Sequence, residues 1–174
     1  MMISSLPGPF DTMGQAACDK GLKPIFRGDP LASGCALATG IGTELEPLPG
    51  FPALIVLSKP PVRVSTREVY QGLPLDEILK RPNNREIISG LKEKDLAKVE
   101  KNMANVLEFY TLKMYDTVVY TKNKMKELCP QSTVLMSGSG PTVFGVYHKI
   151  EDAQMVYSEM KTINKETFLT ETAF

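Results

Sequence analysis

The sequence predicts an α+β fold close to a ferredoxin-like split βαβ arrangement, in which helices cover one face of a small sheet. The apolar, β-branched run FPALIVLS at 51–58 is typical of a buried strand. Apolar residues at helical spacing over 103–128 indicate a long helix, and two further strand patterns follow at 133–136 and 142–147. The length of 174 residues suits one domain, or a small domain with an appendage.

The composition narrows the class of protein. A hydrophobic fraction of 43% and a charged fraction of 23% exclude a disordered or fibrous chain. The chain has 20 Lys+Arg and 20 Asp+Glu, and this balance gives no support to nucleic-acid binding. The longest apolar run falls far below the ~18 residues of a membrane span, and the N-terminus lacks a signal-peptide pattern. We therefore expect a cytoplasmic protein with neither a nucleic-acid nor a membrane partner.

The cysteines and the histidine do not predict a metal site. Cys18, Cys35 and Cys129 are widely spaced and form no CxxC pair, so we expect reduced thiols. His148 is the one histidine and follows a predicted strand, where a surface position is expected.

Residues 1–34 differ from the rest because glycine and proline are concentrated there. These residues interrupt both helix and strand periodicity, and at most a turn or two of helix fits at 13–19. We predict a poorly structured segment over 1–34, followed by a folded domain over 35–174.

From residue 35 the pattern is regular. Residues 36–46 (ALATGIGTELE) indicate two short strands or a hairpin, with Gly40 and Gly42 at the bend. The strand at 51–58 ends at the prolines of 59–61, because proline cannot donate to a strand ladder. Ser65 with Thr66 is a plausible N-cap for a short helix.

Three further helices are predicted before the C-terminal strands, over 76–91, 95–101 and 103–128. The last is the longest, and its apolar face comprises Met103, Val106, Leu107, Tyr110, Met114, Val118, Met125 and Leu128. Pro130 ends it. A helix over 150–161, with acidic residues in its first turn, and a strand over 167–173 complete the prediction.

The segment 137–142 (SGSGPT) is the most informative for function. Alternating glycine and serine between two strands place backbone N–H groups and hydroxyls together, which suits an anion such as phosphate. It is neither a P-loop nor a dinucleotide fingerprint, since no GxxxxGK[ST] occurs and a strand follows it. From local chemistry alone, a tight hairpin turn remains the alternative.

Four segments together resemble the GHMP kinases, the family of galactokinase, homoserine kinase and mevalonate kinase. VLMSGSGPTVFGVY (134–147) is similar to the third, C-terminal motif of that family. ALATGIGTELEPLP (36–49), KPPVRVSTREVY (59–70) and NVLE (105–108) narrow the resemblance to the branch that phosphorylates cytidine-diphospho methylerythritol in non-mevalonate isoprenoid biosynthesis. The resemblance extends over about 35–174 and implies the C-terminal domain of such a kinase.

The resemblance implies an activity and site residues. The complete enzyme would transfer the γ-phosphoryl group of ATP, with Mg²⁺, to the 2-hydroxyl of this small-molecule substrate. The phosphate-end role of the family's glycine loop maps onto Ser137, Gly138, Ser139, Gly140 and Thr142. Tyr70 matches an aromatic residue that stacks near the cytidine base, and a half-buried structural aromatic is the alternative.

Other parts of the family pattern have no counterpart in this sequence. These are a first motif with Lys and Asn on an early strand, and a second Gly/Ser-rich loop that grips the ATP phosphates. The family's catalytic aspartate would lie near FRGDPL (26–31), which makes Asp29 the candidate general base. Asp29 is closer to Ala36 than an ungapped alignment allows, so a surface turn is the alternative.

We therefore expect a truncated or misread C-terminal half that is inactive alone. Two alternatives stay open: a non-catalytic ferredoxin-like module that binds a nucleotide or phosphometabolite, and a structural subunit completed by another chain. Apolar surface left by a missing N-terminal domain also predicts self-association.

Overall fold

A computed structural model describes residues 2–4, 35–39, 44–50, 52–78 and 80–172. Its strands are β1 (Met2–Ser4), β2 (Cys35–Thr39), β3 (Glu44–Leu48), β4 (Leu54–Lys59), β5 (Thr133–Met136), β6 (Val143–Tyr147) and β7 (Glu166–Glu171). Its helices are α1 (Thr66–Gln71), α2 (Asn84–Glu93), α3 (Leu96–Asn102), α4 (Glu108–Met114), α5 (Asp116–Leu128) and α6 (Ile150–Ile163), with a 3₁₀ turn at Leu75–Glu77.

The chain divides into two compact units. The first unit contains strands β1 to β3 and helices α2 and α3. Strands β2 and β3 pair antiparallel from Cys35 opposite Leu48 to Thr39 opposite Glu44, which confirms the predicted hairpin. Strand β1 lies parallel to β2 on its other side.

The second unit contains the predicted ferredoxin-like arrangement. Its four strands lie in the order β5-β6-β4-β7, and every neighbouring pair is antiparallel. With the intervening helices this is the βαββαβ order of a ferredoxin-like fold, so the predicted fold class is confirmed.

The core of the second unit lies between this sheet and its helices. Alternation along β4 places Val56 and Ser58 on the fully buried helix side, with Ile55 and Leu57 on the opposite face. The buried cluster comprises Val56, Val69, Leu107, Val118, Met125, Cys129, Val134, Met136, Val143, Tyr147, Ala153, Val156 and Met160. On β7 the side chain of Phe168 is 57% exposed, and the expected self-association stays a prediction.

A buried polar network joins the sheet to two helices. The Asn164 side-chain amide donates to Ser58 Oγ on β4 (3.0 Å) and to Thr121 Oγ1 on α5 (3.1 Å). Ser58 and the Thr167 hydroxyl of β7 lie 3.0 Å apart, and Thr167 donates to the Asn164 carbonyl at 2.7 Å. All four residues are at most 3% exposed, so these hydrogen bonds satisfy groups that water cannot reach.

The prediction of one helix over 103–128 is wrong. Residues 103–107 are not helical, and Tyr115 has non-helical backbone angles (φ −131°, ψ 90°) that separate α4 from α5. Because of this break Met114, expected on the buried face, is 60% exposed.

The prediction of a helix over 76–91 is also wrong. Pro82 has no N–H to donate and interrupts it, so helix α2 begins later, behind the N-cap Asn83. Asn83 accepts the N–H of Glu86 at 3.3 Å.

Residues 5–34, including the turn expected at 13–19 and Cys18, lie outside the described residues, whereas Met2–Ser4 forms strand β1. The domain boundary at residue 35 stays a prediction. Among the described cysteines, Cys35 is half-buried and Cys129 is buried, and both are free thiols. His148 is exposed, as expected. In the described part of the chain, each helix is too short or too polar to span a membrane.

We predict that Asn164→Ala lowers the free energy of unfolding by about 2 kcal/mol, because the buried Ser58 and Thr121 hydroxyls lose a donor. Urea unfolding of the full chain measures this effect. The control is Asn123→Ala on the exposed side of α5, where a change within about 0.5 kcal/mol is expected. Equal effects of the two substitutions would contradict a structural role for the network.

We predict a second, pH-dependent effect at Tyr147, a buried tyrosine that is 2% exposed. Burial raises the pKa of Tyr147, so its stabilising contribution is complete below about pH 10, where unfolded tyrosine stays protonated, and decreases above it. In Tyr147→Phe the free energy of unfolding should therefore fall less steeply above about pH 10, by up to about 1.4 kcal/mol per pH unit. Urea unfolding at several pH values, with Tyr120→Phe as an exposed control, checks it; identical alkaline slopes for both variants would refute it.

Candidate functional site

The candidate site is the connection between β5 and β6, residues 137–142. The N–H of Ser137 donates to the Thr142 carbonyl at 2.8 Å, and the N–H of Gly140 donates to the Ser137 carbonyl at 3.0 Å. The peptide bond from Gly140 to Pro141 is cis. These contacts bring all five residues of the predicted phosphate loop (Ser137, Gly138, Ser139, Gly140 and Thr142) into one turn.

The two glycines of the loop are required for different reasons. Both have positive φ, +55° at Gly138 and +91° at Gly140, which side chains disfavour. A Cβ atom at Gly140 would lie 2.8 Å from Met136 Sδ and 3.3 Å from Thr111 Cγ2. At Gly138 a Cβ atom would meet nothing within 4 Å. At Gly140 a side chain is therefore disfavoured both by its neighbours and by the backbone conformation. At Gly138 it is disfavoured by the backbone conformation alone.

Asn105 and Thr111 hold the loop from the side of α4. The Asn105 amide group donates to the carbonyls of Met136 (2.7 Å) and Gly138 (2.8 Å), while its oxygen accepts the N–H of Leu107 at 3.0 Å. The hydroxyl of buried Thr111 donates to the Ser139 carbonyl at 3.1 Å. The loop backbone is thus tied to side chains that stand 28 to 33 residues earlier in the chain.

Glu108 fixes the end of β5, where the loop begins. One carboxylate oxygen accepts the N–H of Met136 at 2.6 Å, and the other lies 2.5 Å from Lys122 Nζ. The two side chains are only 15% and 22% exposed, so the attraction between them is weakly screened by solvent. The ion pair neutralises a carboxylate that lies close to a loop suited to anions.

Helix α1 reaches the loop through its first residue. Ser65 caps the helix by accepting the N–H of Glu68 at 3.3 Å, which confirms the predicted N-cap. The hydroxyls of Thr66 and Ser139 lie 2.9 Å apart. Tyr70 is four residues after Thr66, so both are on one side of α1. Tyr70 packs against the core cluster, and burial raises its pKa.

The structure therefore joins the predicted loop directly to α1, the helix that carries Tyr70. Asp29, the predicted general base, lies outside the described residues and stays a prediction.

Sequence reasoning assigned no site role to the residues that hold the loop. Asn105 and Glu108 stand within the NVLE segment and Thr66 within KPPVRVSTREVY, but a linear segment does not show which side chains meet. Thr111 gave a weaker signal, as a polar residue one helical turn after buried Leu107.

Among the residues that the structure describes, no group of three His, Cys, Asp or Glu side chains is placed to hold a metal ion. The loop offers hydroxyls and backbone N–H groups, which suit phosphoryl oxygens better than a cation.

Comparisons with known proteins show which family this chain resembles. Residues 87–165 match the family model described as GHMP kinases C terminal. A 4-diphosphocytidyl-2-C-methyl-D-erythritol kinase from Clostridium botulinum (strain Loch Maree / Type A3) is 39% identical over 143 residues, which cover 82% of this chain and 51% of that protein. The protein of the same name from Acetivibrio thermocellus is 39% identical over 143 residues, which cover 82% of this chain and 50% of that protein.

Solved structures agree at the level of the fold. The crystal structure of a 4-(cytidine 5'-diphospho)-2C-methyl-D-erythritol kinase has a TM-score of 0.66 at 24% identity, covering 80% of this chain and 50% of that one. The crystal structure of a homoserine kinase from Cytophaga hutchinsonii has a TM-score of 0.61 at 18% identity, and the match covers 83% of this chain and 50% of that one. This chain spans about half the length of the curated relatives it matches.

We predict that Lys122→Met lowers the free energy of unfolding by about 3 kcal/mol, because it leaves the Glu108 carboxylate partly buried without its cation. Lys124→Met is the matched control, since Lys124 pairs with Glu127, which is 70% exposed, and a change within about 0.5 kcal/mol is expected. Urea unfolding of both variants at low and high salt measures the difference. Small and equal effects would contradict the importance of the Glu108 pair.

Proposed function

We propose, from the premise that this chain carries the C-terminal domain of a GHMP kinase, that it is the C-terminal part of an ATP-dependent kinase acting in isoprenoid (terpenoid) biosynthesis. The substrate would be 4-diphosphocytidyl-2-C-methyl-D-erythritol and the acceptor its 2-hydroxyl. The observation that carries this proposal is the 39% identity, over 143 residues, to relatives named for this substrate. A cytoplasmic location is part of the proposal.

The loop 137–142 would bind phosphoryl oxygens. Phosphoryl transfer depends mainly on positioning and on stabilising charge, and backbone N–H groups supply both without covalent chemistry. The hydroxyls of Thr66 and Ser139 are hydrogen-bonded to each other at 2.9 Å, which leaves one O–H to donate at the same place. In this chain the loop is supported by partly buried hydrogen bonds, so it would hold its shape before a ligand arrives.

Tyr70 would bind the cytidine base of the substrate. It is half-buried, and its attachment to the core would hold the ring in place. Stacking of a base on an aromatic ring contributes about 1–3 kcal/mol. Because α1 carries both Thr66 and Tyr70, one short helix would link the base site to the phosphate site.

Phosphoryl transfer also requires a base and a metal ion. As the new O–P bond forms and the bond to the ADP oxygen breaks, the acceptor hydroxyl must lose its proton, and Asp29 is the proposed base. The described residues do not provide a donor set for Mg²⁺, so the ion would arrive with the ATP phosphates, and no side chain is assigned to it.

A second candidate function is supported by the loop, which carries donors for an anion and no carboxylate. It is a binding module for a nucleotide or phosphometabolite, without turnover. A structural subunit completed by another chain is a related alternative, favoured by the match to about half of each relative.

We predict that the full chain binds the cytidine substrate and that Tyr70→Leu weakens this binding at least about tenfold, because leucine keeps the packing but loses the stacking face. Calorimetric titration with the cytidine ligand and, separately, with Mg-ATP measures both affinities. Tyr70→Phe should retain binding, and Tyr120→Leu on the exposed face of α5 should leave it unchanged.

The outcomes separate the candidate functions. Binding of both ligands with release of ADP supports the kinase and makes Asp29 the first residue to substitute. Binding without ADP release favours the binding module. No heat with either ligand contradicts an ATP or cytidine site in this chain and leaves the structural subunit.

A further inference from the structure

Most of the backbone carbonyls in and just before the candidate loop accept a hydrogen bond. Four consecutive carbonyls, those of residues 136 to 139, each accept a hydrogen bond. Asn105 donates to Met136 (2.7 Å) and Gly138 (2.8 Å), and Thr111 donates to Ser139 (3.1 Å). The Ser137 carbonyl accepts the N–H of Gly140 at 3.0 Å.

The backbone donors of the loop are treated differently. Within the described part of the chain, the N–H groups of Gly138 and Ser139 have no hydrogen-bond acceptor. Both residues lie at the surface, with Gly138 exposed and Ser139 half-buried. The loop therefore has a polarity: these carbonyl oxygens are held by donors within the protein, and two successive N–H groups are left for another acceptor.

This polarity decides which ions the loop can bind. Carbonyl oxygens directed at a phosphoryl group repel it, whereas N–H groups attract it. A glycine-rich turn can rotate its peptide planes at low cost, so an unsupported loop would present either group. Side chains that hold the carbonyls remove that choice.

We propose that Asn105 is a positioning residue that sets the polarity of the loop 137–142 and so prepares the N–H groups of Gly138 and Ser139 for a phosphoryl anion, with Thr111 as its second support. The inference rests on the proposed phosphate role of the loop and assigns that role a structural cause. Asn105 is suited to it because its amide group is fully used: two carbonyls accept from the nitrogen, and the oxygen accepts the N–H of Leu107.

The test uses the full ¹⁵N-labelled chain and inorganic pyrophosphate, which has neither a base nor a sugar. Pyrophosphate should shift the amide resonances of Gly138 and Ser139 in the wild type. Asn105→Leu removes both donors at similar volume and should weaken this binding about tenfold or more, with the two amide shifts lost. Asn102→Leu is the matched control, since Asn102 also donates to a backbone carbonyl (Lys98, 2.8 Å) but at the end of α3. The affinity of this variant for pyrophosphate should be unchanged.

Two results overturn the proposal: wild-type amides at 138 and 139 that do not respond to pyrophosphate, or equal affinities of the wild type and Asn105→Leu. If Asn105→Leu does not fold, Thr111→Val decides in its place. A weakened affinity with cooperative unfolding retained supports the proposal, and an unchanged affinity overturns it.

The same titrations distinguish this inference from the proposed function. If pyrophosphate moves the two amides while neither Mg-ATP nor the cytidine ligand binds, the polarity of the loop stands and the kinase function fails. If Mg-ATP and the cytidine ligand bind with release of ADP but do not move the two amides, the kinase function stands and the inference is overturned.

Discussion

The packing of the second unit depends on the hydrogen-bond network around Asn164. Apolar side chains tolerate small sliding movements of a helix over a sheet, but buried polar groups are satisfied in one arrangement only. Asn164 joins β4 through Ser58 and α5 through Thr121, and Thr167 adds β7. The network therefore fixes the position of β4 relative to the helices. Since β6 pairs with β4 and β5 with β6, it also determines where the loop 137–142 emerges.

The interruption of the long apolar pattern over 103–128 is connected to the site. Asn105 faces two loop carbonyls and the N–H of Leu107, and this set of contacts needs non-helical backbone before α4. The short helix α4 then places Glu108 and Thr111 one turn apart, facing the end of β5 and the loop respectively. A continuous helix would have been simpler to form, so the break marks a segment whose geometry serves the loop.

Much of the second unit could be predicted because its periodicities are strong. The strands at 133–136 and 142–147 are short apolar runs, and the glycine turn between them marks where one ends and the next begins. The helix boundaries failed where a local feature competed with the apolar pattern, at Pro82 and at Tyr115. The site was predicted in its loop but not in its supports. The hydrogen bond from Asn105 to Gly138 joins residues that are 33 positions apart in the sequence, and a local sequence pattern does not predict such a contact.

The order of the strands also determines when this unit can fold during synthesis. Strand β4 is translated early, yet it lies between β6 and β7, and the N–H of Ala53 just before it donates to the hydroxyl of Thr172, 119 residues later. A nascent chain would therefore expose the apolar β4 until residues 143–172 have also left the ribosome. Contacts between such distant segments slow folding and lengthen the period in which apolar strands can aggregate. Expression of this chain should accordingly depend on chaperones that shield unpaired strands, and loss of residues 166–172 would harm folding far more than their number suggests.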